Sequence, residues 1–302
     1  MLSSLAKVPI KIFVFLLDVY LLAIKNLRWS YGIWLEMNLR DLLIKKYMKP
    51  RSTLVQHVST QNKVVELKFL NLNSTSLNRS LTFSSKEPET LKWLEQYGGG
   101  ILFDIGANVG IYSCYHTLES GGDSYAFEPS PLNLELLAKN ISLNAIEDKV
   151  RIIANPLDEY CSWASFQLSS IEYAGSSSTF RTGMTWDGTE IEPLLKFTTL
   201  GLSINQMFKF GLLTQKPSLM KIDVDGTEDL ILKGATYVLE DPFLKSVLVE
   251  VNERLISQCS NISNLMQHFG FQLSQCSIER RIATRPDNDG NIVYNRIYSR
   301  CE

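Results

Sequence analysis

Cysteine, histidine and long apolar runs are all scarce in this sequence of 302 residues. Its five cysteines are scattered, and none stands in a CxxC pair or beside histidines at metal-ligand spacing. This pattern argues against a disulfide framework or a structural zinc site, and it predicts a reducing compartment. Charge is nearly balanced, with 30 basic and 32 acidic side chains, so no overall charge points to nucleic acid as a partner.

The first 51 residues differ from the rest in charge, with nine lysines and arginines against three acids, a net +6. Between Lys11 and Lys25 runs the apolar segment IFVFLLDVYLLAI. Its 13 residues, interrupted by Asp18, are fewer than the about 20 that a membrane span needs. No small-residue cleavage site follows, which argues against a cleaved signal peptide. The pattern predicts a helical extension that either lies on an anionic membrane surface or caps the next domain, in a cytoplasmic or peripherally membrane-bound protein.

Strand and helix patterns then alternate along the chain. Residues 52–98 form a lead-in in which VVELKFLNL and RSLTF alternate polar and apolar residues, which predicts a β-hairpin. Residues 99–302 form the main domain, with strands predicted at ILFDI, SYAFE, VRIIA, SLMKIDV, VLVEV and the terminal pair FQLSQ and NRIYS. Helices are predicted after the first two strands and from about Glu228 to Leu239. This order predicts an α/β fold, a Rossmann-like sheet of seven mostly parallel strands with helices on both faces.

Polar side chains stand at the ends of successive predicted strands. In sheets of this kind ligands bind at the carboxyl ends of the strands, where the winding direction switches. A single such residue is equally explained as a helix cap or a solvated acid, but the recurrence along the sheet favours a binding site. The set comprises Asp104, Glu128, Asn155, Asp223, Asp225 and Glu250.

The segment DIGANVG, from Asp104 to Gly110, is a glycine-rich turn with an unusual centre. A dinucleotide loop places a second glycine where the backbone approaches the pyrophosphate, and Asn108 would crowd that group. S-adenosylmethionine carries no phosphate, and asparagine tolerates left-handed backbone angles. Glu128 follows at a distance suited to binding both ribose hydroxyls, although that acid alone would suit NAD equally well. The glycine spacing therefore favours S-adenosylmethionine as the cofactor.

Four motifs, in this order and spacing, resemble those of the FkbM-type methyltransferases: DIGANVGIYS, AFEPSPLNLELLAKNISLN, KIDVDGTEDLILKGA and VLVEVNE. The lead-in KEPETLKWL is also similar, and the resemblance covers roughly residues 64–300. It implies a class I methyltransferase that uses S-adenosylmethionine, in a family linked to O-methylation of sugars and natural products.

The resemblance also implies roles for individual residues. Asp104 and Gly106 would hold the methionine end of the cofactor, and Asn108 and Gly110 would shape the loop. Glu128 would bind the ribose. The remaining roles are an adenine border at Asn155, Leu157 and Asp158; a closure over the methionine end by Glu87 and Thr90; and a catalytic acid at Asp223 with substrate contacts from Asp225, Glu228 and Glu250.

Methyl transfer from a sulfonium needs mainly alignment of the acceptor, with help from a general base. Asp223 is the candidate base; the alternative is that it only orders the loop after its strand. The four acids Asp223, Asp225, Glu228 and Glu250 also offer hard oxygen ligands of the kind Mg²⁺ prefers. Carboxylates at strand ends serve equally well as caps and substrate ligands, so we predict no metal site.

Between the third and fourth strands lies a stretch predicted to be irregular, which contains Trp163, Tyr173 and Trp186. These aromatic side chains either stack on a sugar or pack the insertion together.

Three functions follow from these patterns. The leading one is an S-adenosylmethionine-dependent O-methyltransferase acting on a hydroxyl of a sugar, glycolipid or related metabolite. The alternatives are a nicotinamide-dependent oxidoreductase, which the loop spacing disfavours, and a non-catalytic Rossmann-like binding module.

Overall fold

The strands in the described part of the chain belong to three separate sheets. The computed structural model describes residues 51–300, apart from residues 177, 285 and 288. In chain order the strands are β1 (Arg51–Val58), β2 (Val64–Asn71), β3 (Leu102–Ile105), β4 (Ser124–Phe127), β5 (Val150–Ile153), β6 (Ser162–Leu168), β7 (Ser178–Phe180), β8 (Leu195–Gly201), β9 (Leu219–Ile222), β10 (Ser246–Asn252), β11 (Phe271–Leu273) and β12 (Val293–Arg300).

The largest sheet has seven strands in the order β11-β12-β10-β9-β3-β4-β5. Strands β10, β9, β3, β4 and β5 run parallel, whereas β12 is antiparallel to both of its neighbours. The chain winds outward from β3 through β4 to β5 and then returns to the other side of β3 as β9. The direction therefore switches between β3 and β9, which is where a sheet of this type binds its ligands. The predicted fold class is confirmed.

Helices connect these strands and cover both faces of the sheet. They are α1 (Ser74–Leu81), α2 (Phe83–Lys86), α3 (Pro88–Tyr97), α4 (Ile111–Ser120), α5 (Pro131–Leu143), α6 (Ile204–Lys209), α7 (Glu228–Lys233), α8 (Thr236–Leu239), α9 (Ile256–His268) and α10 (Gln275–Ala283).

Alternation along the strands divides the core into two layers. Leu102, Leu219 and Leu248 point to one face and pack against α3, α4, α5 and the hairpin strand β2. The intervening residues, such as Phe103 and Met220, point to the other face and pack against α6 to α9. Both faces are buried, as expected for parallel strands whose connections are helices.

Predictions of local structure were wrong at three places: the segment RSLTF, the helix from Glu228 to Leu239, and the stretch between β5 and β9. The segment RSLTF does not pair with β2; most of it lies in α1 and α2, because the Asn73 side chain accepts a hydrogen bond from the Ser76 N–H and caps a helix there. The hairpin instead pairs β1 with β2. The predicted helix from Glu228 to Leu239 is interrupted after Lys233. There the Gly234 carbonyl accepts hydrogen bonds from the Asn205 N–H in α6 and from the Ser203 hydroxyl. The carbonyl therefore does not take part in a continuous helix.

The stretch between the third and fourth strands is also more regular than predicted. It forms a three-stranded antiparallel sheet in the order β7-β6-β8. Phe166, Leu168 and Phe180 form a small core of their own on one side of this sheet. Trp163 points away from that core and is 72% exposed.

The predicted N-terminal helical extension lies outside the described residues. Within residues 51–300, as far as they are described, no helix has both the length and the apolar character that crossing a bilayer requires.

The turn after β3 is set by close approach of the backbone. Gly106 has φ +80°, and a Cβ added there would lie 1.8 Å from the carbonyl oxygen of Asp223, which follows β9. Gly99, in the loop before β3, has φ +90° but no atom within 4 Å of an added Cβ. Gly106 is therefore required by the packing of two neighbouring strand ends as well as by its backbone angle.

These two glycines provide a matched pair of variants. We expect Gly99→Ala to lower the free energy of unfolding by about 1 kcal/mol, the cost of a left-handed alanine. We expect Gly106→Ala to lower it by about 3 kcal/mol or more, because the steric clash adds to that cost. Urea denaturation followed by circular dichroism measures both, and equal losses would contradict the close approach.

Candidate active site

A cavity of about 510 Å³ opens at the carboxyl ends of the parallel strands. This volume is within the range of small-molecule sites in proteins. The structure brings most of the predicted residues together in its wall: Gly106, Asn108, Glu128, Asn155, Leu157, Asp223, Asp225 and Glu250.

The glycine turn is joined directly to the acid at the end of β4. Asn108 adopts the left-handed conformation with φ 52°, as its sequence context predicted. Its backbone N–H donates to Glu128 Oε2 at 2.8 Å, and the Ser130 N–H donates to Glu128 Oε1 at 2.8 Å. These donors fix the carboxylate in the wall of the cavity.

Glu128 is buried, being 4% exposed. Burial raises the pKa of Glu128 to about 7, although the hydrogen bonds from Ser130 and Asn108 favour the ionised form. Protonation of this side chain therefore falls within the physiological range.

Asp104 lies at the base of the same turn and is fully buried. Its Oδ2 accepts hydrogen bonds from the backbone N–H and the hydroxyl of Ser113, at 3.0 and 2.7 Å. Its Oδ1 is buried and accepts no hydrogen bond from the described residues. Burial raises the pKa of Asp104, and the nearby charge of Lys221 partly offsets that effect. A buried acceptor without a donor is costly. Asp104 is in the lining of neither cavity, so its contact with the methionine end of the cofactor stays a prediction.

The side chain of Lys221, from β9, is buried beside Asp223. It is 1% exposed, and its Nζ lies 2.8 Å from Asp223 Oδ2. Burial disfavours the charged form of both side chains. The carboxylates of Asp223, Asp104 and Glu87 nevertheless raise the pKa of Lys221. Burial likewise opposes ionisation of Asp223, but the Lys221 charge and its hydrogen bond outweigh it and lower the pKa of Asp223. Asp223 is thus held as an anion paired to a buried cation.

The other acids after β9 and β10 have different surroundings. Asp225 lines the cavity and accepts a hydrogen bond from the Ser178 N–H at 3.1 Å. Glu228 turns into the loop, where it accepts hydrogen bonds from the Gly226 N–H at 3.1 Å and Gln258 Nε2 at 2.8 Å. Burial raises the pKa of Glu228 to about 7. Glu250 lines the cavity, whereas Glu228 orders the loop beside it.

The three residues predicted to border the adenine also differ in their surroundings. Asn155 and Leu157 line the cavity, and Asn155 Nδ2 donates to the Leu200 carbonyl at 2.9 Å. Asp158 instead forms an ion pair with Arg181, with Nε and Oδ2 2.7 Å apart. Asp158, in the loop after β5, is thereby joined to the residue that follows β7.

Glu87 and Thr90, from the start of α3, lie beside a smaller cavity of about 50 Å³ that shares Gly106, Asn108 and Asp223 with the main one. Glu87 lines this smaller cavity. Asn295 Nδ2 lies 3.2 Å from both Glu87 Oε2 and Thr90 Oγ1. The lead-in is thereby joined to β12 at the methionine side of the predicted site.

Sequence reasoning missed several residues of this site. Lys221 was contained in a recognised motif but was given no role; a lysine inside an apolar strand two residues before an acid is the signal that marks it. Asn133, Phe166, Phe180 and Asp287 line the cavity from distant parts of the chain, and no local pattern marked them. Of the three predicted aromatics, only Trp186 lines the cavity; Tyr173 donates its hydroxyl hydrogen to Glu135 at 3.0 Å. Among the described residues no cluster of three or more His, Cys, Asp or Glu is arranged to hold a metal ion.

This sheet and cavity define a class I methyltransferase dependent on S-adenosylmethionine. A bound donor of this kind would supply an electrophilic methyl carbon on a sulfonium, and the protein would have to bind the donor and align an acceptor with that carbon. More particularly, the chain belongs to the FkbM methyltransferase family, because the family model for the methyltransferase FkbM domain matches residues 104–273, more than half of the chain. The predicted family, enzyme class and cofactor are confirmed, in preference to a nicotinamide-dependent oxidoreductase.

One similar curated protein is the hexuronic acid methyltransferase AglP of Haloferax volcanii, at 26% identity over 152 residues. The match covers 50% of this chain and 56% of AglP, so the chain spans little more than half the length of that relative. Similar solved structures include M. jannaschii TYW2 in complex with AdoMet, with a TM-score of 0.41, 11% identity and coverage of 85% and 90% of the two chains. M. capricolum TrmK in complex with S-adenosylhomocysteine has a TM-score of 0.39, 9% identity and coverage of 71% and 68%.

The raised pKa of Glu128 predicts a pH-dependent affinity for the cofactor product. If Glu128 binds the ribose, as the resemblance implies, its carboxylate form accepts the hydroxyl hydrogens, and protonation of Glu128 competes with binding. With a pKa of about 7 in the free protein, affinity should be nearly constant above pH 8 and weaken by about tenfold between pH 8 and pH 6. Calorimetric titration with S-adenosylhomocysteine across this range measures the effect.

Two variants isolate the responsible group. Glu128→Gln should bind weakly and lose the slope, since an amide does not titrate. Glu228→Gln removes the other buried acid with a pKa of about 7 and should keep the slope. A flat profile in the unmodified protein would contradict the assignment of Glu128 to the ribose.

Proposed function

We propose that the protein transfers the methyl group of S-adenosylmethionine to a hydroxyl oxygen of a sugar, glycolipid or related hydroxylated metabolite. The single observation that carries the proposal is the continuity of the cavity. It extends from the glycine turn and Glu128 to a second region walled by Trp186, Asp225 and Glu250. One cavity thus has room for a donor and an acceptor side by side.

The donor would occupy the part of the cavity at β3, β4 and β5. Glu128 would accept hydrogen bonds from the ribose hydroxyls, and Asn155 and Leu157 would border the adenine. Asp104 Oδ1, which accepts no hydrogen bond from the described residues, suits the ammonium of the methionine end. Gly106, Asn108 and Gly110 would shape the loop between these groups, and Glu87 and Thr90 would close its far side.

The acceptor would occupy the part of the cavity at β9, β10 and the small sheet. Trp186 offers an aromatic surface of the kind that packs on the apolar face of a sugar ring. Asp225 and Glu250 offer carboxylates that accept hydrogen bonds from hydroxyl groups. The similarity to a hexuronic acid methyltransferase, 26% over half of the chain, supports a sugar-related acceptor.

The proposal is tested by following the methyl group into products. The protein is incubated with S-adenosylmethionine labelled in the methyl carbon and a panel of glycosides, glucuronic acid, amino sugars and glycolipids, with Glu128→Gln as control. We expect an alkali-stable methyl ether on a hydroxylated acceptor, reduced at least about tenfold in the variant at low donor concentration through weaker donor binding. Label found only on nitrogen, only as an alkali-labile ester, or in no product would contradict the proposal.

A further inference from the structure

Two carboxylates stand side by side where β9 and β10 end at the cavity. The parallel pair β9–β10 is in register at Ile222 and Val249. Asp223 and Glu250 are the next residues on the two strands, so both side chains point to the same face. Both line the main cavity. Neighbouring positions would give either acid access to the same acceptor.

Their partners are different. Asp223 Oδ2 lies 2.8 Å from the buried Lys221 ammonium, and Arg79 and Lys86 also lie close enough to favour its ionised form. Glu250 is half-buried, and within the described part of the chain its carboxyl group forms neither a hydrogen bond nor an ion pair. Protonation of Glu250 therefore breaks no hydrogen bond or ion pair among the described residues.

The charges that act most strongly on Glu250 are acidic, although Arg79 and Lys86 line the same cavity. They come from the end of β9, the turn before α7, α7 itself and the start of α3: Asp223, Asp225, Glu228 and Glu87. Asp287, from the loop before β12, lines the same cavity. Burial first, and then these negative charges, raise the pKa of Glu250 well above its ordinary value. A carboxylate in such surroundings is a stronger base than one held by a buried lysine.

We propose that Glu250, rather than Asp223, is the catalytic residue that removes the proton from the acceptor hydroxyl. The inference rests on the proposed O-methylation of a hydroxyl. In the step, the acceptor oxygen forms a bond to the methyl carbon while the carbon–sulfur bond breaks and its electron pair stays on sulfur. The hydroxyl proton passes to the Glu250 carboxylate, so that the positive sulfonium and the negative carboxylate are both neutralised.

The assignment also bears on the acceptor. A carboxylate acceptor needs no base, and in the wall of the cavity it would meet the negative charges of Asp223, Asp225 and Asp287 beside the positive charges of Arg79 and Lys86. A neutral hydroxyl needs the base and donates a hydrogen bond to it. A base at Glu250 therefore suits the hydroxyl acceptor that the proposed function assumes.

The primary experiment compares Glu250→Gln with Asp223→Asn, using the glycoside that the acceptor screen identifies. We expect Glu250→Gln to lower kcat by about 10²–10⁴, with affinity for S-adenosylhomocysteine within about twofold of the unmodified protein. The rising limb of the kcat profile against pH should disappear in Glu250→Gln and persist in Asp223→Asn, where it should move to lower pH because the Asp223 charge contributes to the raised pKa of Glu250. Glu250→Asp should recover part of the rate, which separates loss of the base from loss of structure.

Activity of Glu250→Gln equal to that of the unmodified protein, or a rising limb lost only in Asp223→Asn, would overturn the assignment while leaving O-methylation intact. An alkali-labile ester as the product would overturn both. The proposed function fails alone if no acceptor in the screen is methylated, and a binding experiment then decides the position of Glu250.

That binding experiment compares the affinities of S-adenosylmethionine and S-adenosylhomocysteine, which differ by the methyl group and its positive charge. A base in reach of the acceptor oxygen also lies near the sulfonium, so an ionised Glu250 favours the methylated form. The preference is measured from neutral to alkaline pH, and once the carboxyl is ionised Glu250→Gln should reduce it by at least about threefold. Asp223, whose charge is balanced by Lys221, should matter less. An unchanged preference in Glu250→Gln overturns the proposal whether or not an acceptor has been found.

Discussion

The ion pair between Lys221 and Asp223 is the interaction on which the rest of the site depends. An ammonium group that is 1% exposed lies at the carboxyl end of the sheet, between β3 and β10. Taking such a charge out of water is costly and is balanced only by close partners; removal of one partner from a buried pair typically costs about 3–5 kcal/mol. Here the partners are the carboxylate of Asp223 at 2.8 Å and the more distant charges of Asp104 and Glu87. The positive charge of Lys221 therefore stabilises the acids that lie together where three strands end.

The remaining acids of the site are distinguished by what surrounds each carboxylate. Glu128 is held by two backbone N–H groups beside the glycine turn, and Glu228 by backbone N–H groups of its own loop. Both have a pKa of about 7 because burial outweighs these donors. Glu250 has no such donors in the described structure, and the charge of Lys221 is directed to Asp223. We therefore propose that glutamate has three roles here: a ligand for hydroxyl groups at Glu128, a loop anchor at Glu228 and a base at Glu250.

The features that could be predicted from sequence are those written in local patterns. The parallel strands follow from short apolar runs, and the left-handed Asn108 and the placement of Glu128 follow from the spacing of one turn. The helical state of RSLTF was missed because its alternation of polar and apolar residues resembles a strand, whereas the Asn73 cap and the pairing of β1 with β2 decide the outcome. The partners of Asp223 and Glu250 could not be predicted either. They depend on which strands are neighbours in the sheet and on the burial of Lys221, which strengthens the effect of its charge on nearby carboxylates.

A crystal structure of the protein with S-adenosylhomocysteine would test this account most directly. The account predicts ribose hydroxyls within hydrogen-bond distance of the Glu128 carboxylate, an unbroken contact between Lys221 and Asp223, and the Glu250 carboxyl facing the open side of the sulfur. A structure in which Lys221 leaves Asp223, and Asp223 instead faces the sulfur while Glu250 turns to a protein partner, would contradict it.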